Sequence, residues 1–222
     1  MAYASWRRFK ELLALDHGAA NALFLRRRDR ALTPPGKDVF DGYFASGDYD
    51  RLWKADERHH HRLLAAMLAA RRPGARLLDI GCGDGALYDA LRPLGFAPYC
   101  GLDLSEVGVE RARTRFNEDV AAGRAAFIVG DARALEAGGE RFDVVVMSEC
   151  LEYLGDPAAV IARCRSLLEP EGLIGVTIWL GQPRIRVWRQ AKAEARVLDE
   201  ALISTPRGGA WLVAVLDPAQ RG

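Results

Sequence analysis

Apolar and polar positions change rhythm along this chain, and the changes divide it. Over 57–70, Leu63, Leu64, Met67 and Leu68 recur at helical spacing, and Pro73-Gly74 ends the pattern. From residue 76 onward short apolar runs alternate with helical ones. Strands are predicted over 76–80, 97–102, 125–129, 142–147 and 173–179, with helices over 86–91, 109–116 and 156–168. The 142–147 run is continuously apolar, as in a parallel strand covered on both faces. Ser105 is placed to cap the second of these helices; Asp156 followed by Pro157 opens the third. The alternation predicts an α/β fold, an open parallel sheet with helices on both faces.

Both ends depart from that rhythm. Trp6, Phe9, Leu12, Leu13 and Leu15 form an amphipathic stretch, broken at Thr33-Pro34-Pro35-Gly36. Residues 1–50 therefore read as irregular and helical, and 41–50 are rich in aromatics and glycine. At the other end a short helix (187–195) precedes two strands, 196–204 and 210–216. The turn between them is too short for a parallel crossover, so an antiparallel hairpin closes the chain. Residues 1–56 form a cap or lid, and 57–222 form the main domain.

The densest chemistry is Asp79-Ile80-Gly81-Cys82-Gly83-Asp84-Gly85, between the first strand and its helix. Three glycines at alternate positions allow a sharp bend and a close backbone approach to a ligand. The carboxylate before them suits a ligand with a positive amino group better than one with a phosphate. Ligands of open α/β sheets lie beyond the carboxyl ends of the strands. Those ends carry Asp79, Asp103, Gly130-Asp131-Ala132 and Ser148-Glu149. Asp103 lies twenty residues after Gly83, a spacing that suits a ribose diol. A carboxylate accepts two hydrogen bonds at once. Asp131 is placed to accept from an adenine amino group, and the Ala132 amide to donate to a ring nitrogen.

Composition narrows the partners. The 222 residues carry a net charge of +1, which selects neither nucleic acid nor an anionic membrane surface. Arg26-Arg27-Arg28 and Arg71-Arg72 read as solvated faces. The four cysteines form no CxxC pair, the N-terminus is polar and basic, and no apolar run is long enough to span a bilayer. A reducing cytoplasmic setting follows as the expectation. His59-His60-His61 read as surface or cap contacts, because consecutive helical positions point apart. No metal is therefore expected.

Taken together, 77–85, 101–105, 129–132, 142–147 and 168–172 resemble the successive motifs of class I S-adenosylmethionine-dependent methyltransferases, in the small-molecule branch. The likeness runs from about Arg58 to Pro218. It implies a Rossmann-like sheet of seven strands, mostly parallel, whose last strand is antiparallel. It also implies S-adenosylmethionine as cofactor and S-adenosylhomocysteine as product. On this resemblance Asp79, Gly81, Cys82, Gly83, Asp103, Leu104, Asp131, Ala132 and Ser148 would bind the cofactor.

Residues 148–157 are similar to a family segment that usually carries a histidine where Tyr153 stands. Glu149, Glu152 and Tyr153 are then the nearest candidates for proton transfer, with Glu149 and Tyr153 taken as the catalytic pair. Arg58 would reach the cofactor carboxylate, and Tyr43, Phe44, Tyr49 and Trp53 would form an aromatic lid. A fainter likeness to rhizobial N-methyltransferases of chito-oligosaccharides adds a saccharide to the possible acceptors. The expected partner is a small molecule methylated on oxygen or nitrogen, and the expected assembly a monomer or homodimer. A nicotinamide-dependent oxidoreductase and a non-catalytic cofactor-binding member remain as alternatives. Against the first, the third glycine falls one residue earlier than in GxGxxG.

Overall fold

The computed structural model describes residues 35–135, 140–180, 184–205 and 209–219. The 6–15 amphipathic stretch and the basic triplet at 26–28 lie outside them. Seven strands make one sheet: β1 (Leu77–Ile80), β2 (Tyr99–Asp103), β3 (Ala125–Val129), β4 (Phe142–Ser148), β5 (Leu168–Trp179), β6 (Arg196–Ser204) and β7 (Ala210–Asp217). Their order is β3-β2-β1-β4-β5-β7-β6. Every pairing from β3 to β5 is parallel, whereas β7 runs antiparallel to both β5 and β6. The expected fold class and terminal hairpin are both present.

Around the sheet lie seven described helices: α1 (Lys37–Ser46), α2 (His59–Arg71), α3 (Ala86–Leu91), α4 (Glu106–Arg115), α5 (Asn117–Ala121), α6 (Pro157–Leu167) and α7 (Arg184–Ala193). Alternate residues of β4 explain its unbroken apolar run. Val144 and Val146 join a core with Leu64 and Leu68 of α2 and Tyr88 of α3. Val145 and Met147 join an opposite core with Ile161 and Cys164 of α6 and Trp188 of α7. A strand buried on both faces has no polar side to alternate with. Each fully buried side chain of this kind contributes roughly 1.5–3 kcal/mol relative to exposure.

Element ends shift where a local group wins. β2 starts at Tyr99 rather than 97, just after Pro98, which has no N–H for the ladder. α4 starts at Glu106 because the Ser105 hydroxyl accepts from the Gly108 amide at 3.1 Å. Asp156 caps α6 as expected, accepting from the Ala159 amide at 3.0 Å. The 169–172 turn is absorbed into β5 as an irregularity: Phe142 pairs Leu168, then Val144 pairs Leu173. α1 was not foreseen as a helix. It ends at Gly47, which takes the left-handed conformation at φ 82°.

The topology fixes where a ligand can lie. From β1 the chain winds outward through β2 to β3, then returns to place β4 on the other side of β1. The crevice between the β1 and β4 ends is the switch point of the sheet.

Candidate functional site

A cavity of about 600 Å³ opens at that switch point, bordered by residues of the β1–α3 turn, the β2, β3 and β4 ends, α1 and β7. Its size falls within the usual range for small-molecule sites.

The turn after β1 is built as its glycines require. Gly81, Gly83 and Gly85 have φ of 76°, 53° and 85°, a region that L side chains avoid. A Cβ on Gly81 would also lie 2.8 Å from that of Cys150, and one on Gly85 2.5 Å from the Phe116 ring. The Gly81 and Cys82 amides donate to the Leu102 carbonyl at 2.7 and 3.1 Å, drawing the turn over the end of β2.

Asp103 ties this turn to the next helix. Its Oδ2 accepts from the Gly83 amide and its Oδ1 from the Ser105 amide, both at 2.8 Å. Burial pushes the carboxyl above its usual range, against the pull of these amides. Asp103 lines the cavity. Asp79 is wholly buried, and the Tyr99 hydroxyl donates to its Oδ2 at 2.7 Å. Burial raises it to about 7, and its Oδ1 has no hydrogen-bond partner. Asp131 sits at the open rim, its two oxygens forked by the Arg133 guanidinium. That contact holds the carboxyl below its usual range. Leu104, Ala132 and Cys82 also line the cavity.

The opposite end is made by different segments. The Ser148 hydroxyl bonds that of Thr177 at 2.8 Å. Glu149 has φ 56°, the single positive φ at a non-glycine among the described residues. Such a conformation costs about 1–3 kcal/mol and marks a position held by its surroundings. Here the Glu149 amide donates to the Thr177 carbonyl at 2.9 Å, and Glu149 Oε1 accepts from Trp211 Nε1 at 2.8 Å. Burial alone would raise this carboxyl; contacts with His60, His61 and the Trp211 N–H hold it at about 2. A carboxylate held so low is a weak proton acceptor. The sequence showed a strand-end carboxylate but not these partners, which favour its ionised form. Tyr153 does line the cavity, its ring edge-on to Phe40 with centroids 5.7 Å apart.

Two further expectations change. Arg58 pairs with Asp89 and lies over the Trp53 ring, so it is turned away from the cavity. Of the four lid aromatics, Phe44 and Tyr49 line the cavity. Tyr43 is 40% exposed and packs on Tyr49, and Trp53, which donates to Asp84 Oδ2 at 2.7 Å, does not line it. Phe40, one turn before Phe44, takes the place given to Tyr43.

The surface reading of the histidines holds for His59 alone. His60 and His61 are 0% and 5% exposed, and His61 lines the cavity with Trp211. The sequence carried no signal for this, because consecutive helical residues do not reveal which of them faces the sheet.

A family described as a methyltransferase domain matches residues 49–211. Over 101 residues the chain is 41% identical to a ubiquinone biosynthesis O-methyltransferase of Cereibacter sphaeroides, covering 46% of this chain and 40% of that one. It is 39% identical over 133 residues to the protein of that name from Xanthomonas campestris, covering 56% and 54%. The chain thus spans about half the length of the curated relatives it matches. Among solved structures, the N-methyltransferase NodS of Bradyrhizobium japonicum, in complex with S-adenosylhomocysteine, superposes with a TM-score of 0.70 at 19% identity. That match covers 83% of this chain and 98% of the other. A magnesium protoporphyrin IX methyltransferase of Synechocystis superposes at 0.60, with 21% identity over 85% of this chain and 99% of the other.

Proposed function

The chain belongs to the methyltransferase-domain family, and from that premise we propose that it moves a methyl group from S-adenosylmethionine to an oxygen or nitrogen of a small molecule. The observation that carries the reading is the row of strand-end groups, Asp79, Asp103 and Asp131, along one wall of a single cavity at the switch point. The residues fit the cofactor. The buried, unpartnered Asp79 oxygen suits a positively charged amino group, the Asp103 carboxylate at the cavity wall suits a ribose diol, and Asp131 with the Ala132 amide suits the adenine edge. Gly81, Cys82 and Gly83 present backbone to the amino-acid part, Leu104 flanks the nucleoside, and Ser148 marks the passage to the acceptor end. The cofactor supplies a methyl group on a cationic sulfur, which an acceptor lone pair displaces in line while the S–C electron pair stays on sulfur.

The protein's own part is then alignment and exclusion of water. Holding the reacting atoms in line is worth up to about 7–11 kcal/mol of barrier. Phe44 plugs the junction of the two ends, its ring lying where Cβ atoms on Gly83 and Gly108 would come within 3.0 and 2.8 Å. Asp41 of α1 accepts from the Ser105 hydroxyl at 2.6 Å and from the Val107 amide at 3.2 Å, which docks the cap segment on α4. Residues 35–56 act in this reading as a cover over the acceptor. Phe40, Tyr153, Leu154, Trp179 and Trp211 give the acceptor end aromatic and apolar walls, which suit a flat ring or a sugar face carrying one hydroxyl or amine.

Among the described residues no helix is long and apolar enough to cross a membrane. The free thiols of all four cysteines suit the cytoplasm. The reading includes no nucleic-acid partner and takes the working unit as a monomer or homodimer.

Calorimetry of the purified chain tests the reading first. S-adenosylhomocysteine should bind with a micromolar dissociation constant, and NAD should not. Transfer of labelled methyl from S-adenosylmethionine into a panel of phenols, amines and amino sugars then identifies the acceptor. Binding of NAD in preference to S-adenosylhomocysteine would sink the proposal.

A further inference from the structure

His60 and His61, in the first turn of α2, meet Glu149 after β4 at the acceptor end of the cavity. One ligating atom from each lies within 4.8 Å of the others. Glu149 Oε2 is 3.3 Å from His60 Nε2, while its Oε1 is taken by the Trp211 N–H. The His60 ring is stacked on Trp211, with centroids 4.9 Å apart and planes 10° from parallel. Yet Nδ1 and Nε2 of His60 and Nδ1 of His61 are buried without a hydrogen-bond partner. An unmet buried donor or acceptor is destabilising, since it has lost water without gaining a partner. His60 Nε2 at least faces Glu149, but the Nδ1 atoms of both rings have no such neighbour, which leaves this corner short of a bonding partner that a cation would supply.

We propose that His60, His61 and Glu149 bind one divalent transition-metal ion of the zinc type. The donor set decides the class. Two imidazoles and a carboxylate suit zinc and its first-row neighbours, whereas magnesium and calcium prefer oxygen ligands throughout. Trp211 plays the outer part: its N–H fixes one Glu149 oxygen and leaves the other for the ion, and its ring holds the plane of His60. At zinc–ligand bonds of about 2.0–2.1 Å, ligand atoms sit roughly 3.3 Å apart, so the widest pair here would draw in by about 1–1.5 Å.

Three protein ligands leave coordination open, as in catalytic rather than structural zinc sites. His61 and Glu149 line the cavity, so the open position faces the acceptor end. A water or an acceptor hydroxyl would complete the shell there, and the ion would raise its acidity so that its proton passes to solvent water or buffer near neutral pH. This is a route to an activated acceptor that does not need Glu149 as a base.

The site is tested without cofactor, which keeps it separate from the methyl-transfer reading. The full chain is stripped with a chelator, loaded with zinc chloride or cobalt chloride, and desalted. Metal content is read by mass spectrometry, and affinity by competition with a chromophoric chelator. One ion per chain is expected, with the intense visible bands of low-coordinate cobalt rather than the weak ones of the hydrated ion. Loss of an outer-shell partner costs about 10–100-fold in metal affinity, so His60→Ala, His61→Ala and Glu149→Gln should each lose at least about 100-fold. His59→Ala, on the exposed neighbour, should change nothing. A parent-like cooperative denaturant melt would show that the variants are folded; should they not fold, the cobalt spectrum of the unaltered chain decides. The proposal is overturned by a stripped chain that takes up no ion, by hydrated-type cobalt bands, or by a His60→Ala/His61→Ala variant that binds as tightly as the parent. Those results would leave an imidazole–carboxylate contact that works without metal.

Discussion

The two ends of the cavity are made in different ways. At the end proposed for the cofactor, most of the polar framework comes from backbone and from carboxylates within a few residues of a strand end. The Gly81 and Cys82 amides hold Leu102, and Asp103 holds the amides of Gly83 and Ser105. At the acceptor end, Phe40, His61, Glu149 and Trp211 come from α1, α2, the loop after β4 and β7. The first end is rigid because its turns allow few other conformations. The second is held by side chains that must each be delivered by a different element. A small molecule common to many proteins can be met by the first kind of surface, while the second kind can be changed one segment at a time.

The largest expected effect breaks the first end. Gly81→Val places a β-branched side chain at φ 76°, with its Cβ 2.8 Å from that of Cys150. It should cost about 3 kcal/mol or more in stability and abolish binding of S-adenosylhomocysteine, read by denaturant melts and calorimetry. Next, Phe44→Ala empties the notch where the two ends join. A loss of about 3–5 kcal/mol is expected, together with weakened binding of both cofactor and acceptor. A melt unchanged within 1 kcal/mol would show that the cap is not anchored there.

Asp79→Asn sharpens the contrast through pH. Asp79 has a carboxyl of about 7 in the fold against 3.8 as an ordinary aspartate, raised by burial. A raised acid favours folding in its neutral form. That contribution is complete below about pH 4, is lost as pH rises toward 7, and becomes a constant penalty above it. The variant should therefore gain up to about 4 kcal/mol near pH 8 and almost nothing near pH 4. Its affinity for a ligand with a positive amino group should nonetheless fall about tenfold or more at pH 8, since the attracting charge is gone. Parent affinity should itself rise between pH 5 and 8. A flat profile would remove Asp79 from the amino-group role.

The smallest effect belongs to the second end. Phe40→Ala should raise the KM for the methyl acceptor by about tenfold, the worth of one lost aromatic contact, and leave S-adenosylhomocysteine affinity within about twofold. Equal loss at both would mean that the ends are not separable.

How much was legible follows the same division. The glycine turn, the aspartates at 79, 103 and 131 and the caps at Ser105 and Asp156 could all be read. Each acts on neighbours within a few residues, or follows from the order of strands. The faces of β4 were legible too, because a strand covered on both sides leaves no polar positions. The fate of His60, His61, Arg58 and Tyr43 was not legible. Each depended on which way one helical turn faced, and a rotation of about 100° per residue separates a buried position from an exposed one. Trp211 sat unremarked in a terminal strand. Its N–H gained meaning only when β7 inserted between β5 and β6 and placed it beside Glu149.

The sequence by itself determined the α/β alternation, the closing hairpin, the backbone of the glycine turn and the carboxylates beyond the strands, since local sterics and periodicity decide these. Only the tertiary structure decided that Glu149 is held ionised by His60, His61 and Trp211, that Arg58 belongs to Asp89, and that two adjacent histidines turn inward to one corner. Those outcomes rest on contacts between segments up to about 150 residues apart, and no local rule of the chain can specify such a contact before the sheet has brought its ends together.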